Sequence, residues 1–204
     1  MNGIRVQKTS RGEIIEIGAV LLDDDFNVLA KYRTYVKPDI MEINEKVIEL
    51  TGIQEEMLYD APKLSEALTE LLNLTDDLEN TTLYTWSESD TFAIKKETKM
   101  KDIHIDGLEK LCNEYVDVQE IFGKQVGIEH KLNLTKAMNM VGLEFEGKEH
   151  GALADAINTA NLLRDISINK NVKKAIESIS EYMDSKPLTS SLGNLFSKLD
   201  LNIQ

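Results

Sequence analysis

From Glu13 to Leu22 the chain reads Glu-Ile-Ile-Glu-Ile-Gly-Ala-Val-Leu-Leu, too apolar for strict alternation and rich in β-branched residues. That pattern predicts a strand covered on much of both faces. Asp23, Asp24 and Asp25 form a turn, and Val28 to Val36 predicts a second strand, antiparallel to the first and closed by Lys37-Pro38. Short helical segments are expected over Asn44 to Leu50 and Glu55 to Leu58, with Thr51 capping the second and Gly52 supplying a tight connection. After Pro62, the residues Leu64, Ala67, Leu68, Leu71 and Leu72 make one apolar helical stripe. Thr81 to Trp86 predicts a short buried strand, and Asp90 opens a helix through Lys99. Leu108, Leu111 and Cys112 predict another helix, followed by the short segment Tyr115 to Val118. Leu134, Ala137 and Met138 recur at helical spacing within Lys131 to Met140. The clearest helix runs from about Gly151 to Ile166, with Ala152, Ala156, Ala160 and Leu163 on one face; Asn171 to Met183 is helical again. Strands mixed with helices in this way give an α/β class.

Composition narrows the picture. A chain of 204 residues with 42% hydrophobic and 29% charged residues and 3 prolines is globular, and its length suits one domain. Residues 1–204 are expected to form that domain, with 1–12 an altered or truncated N-terminal segment and 167–204 a helical extension and docked tail. Cys112, the only cysteine, excludes an internal disulfide and fits a reducing compartment. The sequence shows neither a leader nor a membrane span, so a cytoplasmic protein without membrane contact is expected, as monomer or homodimer. A net charge of −13 argues against broad neutralisation of duplex phosphates, but it suits carboxylates gathered around cations.

Five segments carry a more specific signal: Glu13 to Val20, Tyr35-Val36-Lys37-Pro38, Leu50-Thr51-Gly52-Ile53, Thr85 to Asp90, and His150 to Ala160. In this order they resemble the DEDDh (DnaQ-like) 3'-5' exonucleases of the ribonuclease-H-like superfamily. The resemblance extends to the bacterial branch related to the sporulation-inhibitor and histone-mRNA exonucleases. It implies a three-layer α/β fold with a mixed central sheet, acting on the 3' end of single-stranded DNA or RNA. It also implies a pair of Mg2+ or Mn2+ ions, about 4 Å apart, that activate water and stabilise the leaving oxygen. Asp90 and Asp155 would be metal ligands, and His150 the general base. Taken singly, Asp90 is an ordinary helix N-cap, Asp155 a first-turn acid and His150 a surface residue.

The resemblance also implies an Asp-x-Glu pair on the first, central strand, and no such pair precedes Glu13. Two readings follow. Arg5-Val6-Gln7 stands at that position as a degenerate motif, its cation repelling metal and its amide a weak ligand. Alternatively, residues 1–12 are the end of a variable loop that follows the strand, which makes the chain truncated. A catalytically impaired nucleic-acid-binding or structural protein is therefore the alternative to the exonuclease. Near the second motif, Trp86 and Phe92, with Tyr84, are candidates for stacking on a base, although a core role suits Tyr84 and Trp86 too. Lys95, Lys96, Lys99 and Lys101 are a basic run that could meet a phosphate backbone or simply be solvated.

Overall fold

The computed structural model describes residues 2–9 and 12–168. Its centre is a five-stranded mixed sheet in the order β3-β2-β1-β4-β5. The strands are β1 (Asn2–Lys8), β2 (Ile14–Leu22), β3 (Val28–Tyr35), β4 (Leu83–Thr85) and β5 (Val116–Asp117). The first three pair antiparallel, while β1–β4 and β4–β5 are parallel. The α/β expectation with a mixed sheet therefore holds. Residues 2–8 are the central strand, which corrects the reading of this segment as a loop remnant. Ile4 and Val6 supply the apolar side chains that a central strand must bury, and both do.

Strand register sets what faces what. Ile4 lies opposite Ala19, and Val6 opposite Ile17. These four share one core with Leu64, Ala67, Leu68 and Leu71 of α2 (Leu64–Leu72), Ala93 and Ile94 of α3 (Ser89–Met100), and Leu108 and Leu111 of α4 (Leu108–Asn113). The alternate residues of β2, Val20 and Leu22, pack with Ala160, Leu153 and Ile157 of α7 (Ala152–Ile168). A separate core joins Trp86, α5 (Val118–Val126), α6 (Leu134–Met140) and the end of α7. Helices thus cover both faces of the sheet.

Most local expectations hold. Asp23 organises the hairpin turn by accepting from the N–H groups of Asp25 and Asn27 at 3.0 and 2.8 Å. Asn44 caps α1 (Glu45–Thr51), and Gly52 takes a left-handed φ of 77° at its end. Thr51 does not cap the 3-10 turn Glu55–Leu58. It ends α1, its hydroxyl donating to Val47 and accepting from the Ile53 N–H. Helix α5 has no counterpart among the predicted elements. The helix expected over Asn171 to Met183 and the docked tail lie outside the described residues. Among the described residues no helix is long and apolar enough to cross a membrane.

Candidate active site

The close approach of α7 to the sheet begins with Gly18, since a Cβ there would overlap the Ala152 carbonyl carbon and the Leu153 nitrogen. The neighbouring Glu16, 1% exposed, holds the same helix end. One of its oxygens accepts from the Ala152 N–H at 2.9 Å, and the other from Arg33 Nε at 2.7 Å. Just before the helix, His150 adopts φ 64°, an uncommon conformation for a residue with a Cβ. The turn brings its N–H to Asp155 Oδ1 at 3.3 Å and leaves the residue exposed.

On the opposite side of β1, Asp90 sits in the first turn of α3, 2% exposed. It does not act as a helix cap. Its Oδ1 accepts from the Val6 N–H at 3.1 Å, tying α3 to the central strand. Asp90 and Asp155 are then joined by one residue. The Arg5 guanidinium reaches Asp90 Oδ2 at 3.3 Å through Nη1 and Asp155 Oδ2 at 3.2 Å through Nη2. Arg5 pairs with Gly18 in the β1–β2 ladder, so it belongs to the face that α7 covers. Its side chain is 17% exposed.

Burial pushes the Asp90 carboxyl above the ordinary range, against the opposing pull of Arg5, the Val6 N–H and Lys8; Asp155 adds to the rise. Burial raises Asp155 in the same way, opposed by Arg5 and His150. Desolvation outweighs the guanidinium in both cases, because a buried carboxylate loses water on every side and gains a cation on one.

The structure brings together Asp90, Asp155 and His150 near the carboxyl ends of the parallel strands, and it adds Arg5. Of the stacking candidates, Trp86 is corrected to a core residue. It is 4% exposed, packs on Phe122 with ring centroids 6.3 Å apart, and donates its indole N–H to Leu132 O. Tyr84 is half-buried against the same core. Phe92 is 62% exposed, two residues beyond Asp90. The basic run divides: Lys101 is ion-paired with Glu13, Asp39 and Glu97, Lys95 bonds Asn113, and Lys96 and Lys99 face solvent. The residues present do not fit a metal pair. Two carboxylates share a guanidinium, the positions expected to carry Asp and Glu hold Arg5 and Gln7, and no group of three or more His, Cys, Asp or Glu among the described residues could hold an ion.

Residues 1–163 match the RNase T exonuclease family. The chain is 28% identical over 171 residues to the 3'-5' exonuclease Snipper of Drosophila melanogaster, covering 74% of this chain and 59% of that protein. It is 26% identical over 202 residues to the ERI1 exoribonuclease 2 of Xenopus laevis, covering 85% of this chain and 28% of the relative. It thus spans less than two thirds of either relative's length. Among solved structures, the nuclease domain of 3'hExo, a DEDDh family member bound to rAMP, superposes with a TM-score of 0.74 at 19% identity, covering 83% of this chain and 92% of that domain. With the match running from β1 into α7, the chain belongs to the RNase T exonuclease family.

Proposed function

We propose that this chain holds the 3' end of single-stranded DNA or RNA beside Asp90, His150 and Asp155, and that it does so without the family's two-metal hydrolysis. The observation that carries the reading is the Arg5 guanidinium set between the two carboxylates. Family membership supports a nucleic-acid end as the ligand. An exposed aromatic ring at Phe92, with Lys96 one turn further along α3, suits a base and its phosphate. The exposed His150 is suited to donate to a terminal phosphate or hydroxyl. A chain of net charge −13 is suited to a few local contacts rather than to a long duplex.

The hydrolytic reading, with Asp90 and Asp155 holding Mg2+ or Mn2+ and His150 as general base, draws on the retained His150-to-Asp155 motif. One experiment separates the two. A labelled single-stranded oligonucleotide is bound in chelator, competed with free or blocked 3' ends, and then incubated with magnesium or manganese. Binding competed by free 3' ends, with no shortened product, is expected. Metal-dependent release of mononucleotides that His150→Ala abolishes would establish hydrolysis instead, and failure to bind any 3' end would remove the end-holding role.

A further inference from the structure

We infer that Arg5 is a resident cation that takes the place of divalent metal in this pocket, so that the pocket takes up magnesium or manganese only when Arg5 is removed. The inference rests on the end-holding reading for what the pocket serves. It can fail independently, since its test contains no nucleic acid.

The carboxylate oxygens are fully accounted for. Each aspartate gives Oδ2 to the guanidinium and Oδ1 to a backbone N–H, Val6 for Asp90 and His150 for Asp155. No oxygen of either carboxylate is left without a donor. A guanidinium is a planar fork, and its two terminal nitrogens can serve carboxylates on two different elements at once. Here they join α3 and α7 across the central strand. Unlike lysine or histidine, arginine cannot give up its charge by losing a proton, so the cation is permanent.

A divalent ion entering this pocket meets two obstacles. It must displace bonds of 3.2 and 3.3 Å, and it must approach a fixed positive charge at contact distance. Gln7, two residues along β1, offers a neutral amide oxygen, a weaker ligand for a hard cation than a carboxylate. The arrangement also supplies a cation to two neighbouring aspartates that are only 2% and 4% exposed. Their shared counter-ion is covalently part of the chain.

The test measures Mn2+ binding to the full chain from the loss of the free-ion electron paramagnetic resonance signal. Wild type is expected to leave the signal unchanged. Arg5→Ala leaves two buried carboxylates with their backbone N–H donors but no cation, and it is expected to bind Mn2+ about tenfold or more tightly than wild type, as removal of a like charge at contact distance requires. Arg5→Gln preserves side-chain length and is expected to show the same gain if Arg5→Ala fails to fold. Saturable Mn2+ binding by wild type that Asp90→Asn removes would overturn the inference. So would folded Arg5→Ala or Arg5→Gln protein with no gain in Mn2+ binding. If neither variant folds, the melting temperature of wild type decides: a rise with added Mn2+ beyond that given by sodium chloride at equal ionic strength overturns the inference, and a rise no larger than that supports it.

Discussion

At the scale of single residues, exposure divides the two aromatic candidates. Trp86 is enclosed and already uses its indole N–H, whereas Phe92 has an open ring. Phe92→Ala is therefore expected to weaken oligonucleotide binding by about 1–3 kcal/mol, the scale of one stacked base, with little change in melting temperature. The fluorescence of Trp86, the only tryptophan, is expected to stay at short wavelength on binding and to shift red only on unfolding. An anisotropy titration and an emission spectrum check the pair. Cys112 gives a pH signature. Burial pushes its thiol from the ordinary 9.0 up to about 11. A folded value above the unfolded one means the stabilisation is fully present below pH 9 and is lost as pH rises toward 11. Urea melts are expected to lose on the order of 1–2 kcal/mol across that window, and Cys112→Ala to flatten the loss.

At the scale of elements, the legible parts of the sequence are those with strong local periodicity. The apolar run over β2, the stripe of four leucines and one alanine on α2 and the alanine face of α7 each announce burial without reference to the rest of the chain. Helix α5 carries Val118, Ile121, Phe122 and Val126 at helical spacing behind an Asp117 cap, and its signal is masked by the short strand β5 that runs straight into it. The candidate site is less legible. Asp90, His150 and Asp155 are marked by their motifs, but the bridge made by Arg5 spans sequence separations of 85 and 150 residues. A lone arginine near the start of a chain gives no local sign of such partners. The Gly18 position is a further case, where a small residue in a strand permits one helix to approach. Gly18→Ala is expected to cost about 3 kcal/mol through overpacking against the α7 backbone and to displace Asp155 from Arg5. Denaturant unfolding, with His150 and Asp155 resonances followed by NMR, checks both parts.

At the scale of the whole molecule, a net charge of −13 repels itself. Moderate salt is expected to raise the melting temperature by screening that repulsion, while it weakens oligonucleotide binding only shallowly because few phosphates are contacted. Thermal scans and anisotropy at matched salt concentrations test the two slopes. The Glu16 carboxylate has a further consequence for how the molecule breathes. The first amide of a helix ordinarily exchanges with solvent deuterium almost as fast as in a loop. The Ala152 amide ends instead on an anion within the sheet, itself clamped by Arg33 of the edge strand. Its exchange therefore requires β2, β3 and α7 to part together, and it should be as slow as the amides at the centre of β2, a clock for global opening at a helix end.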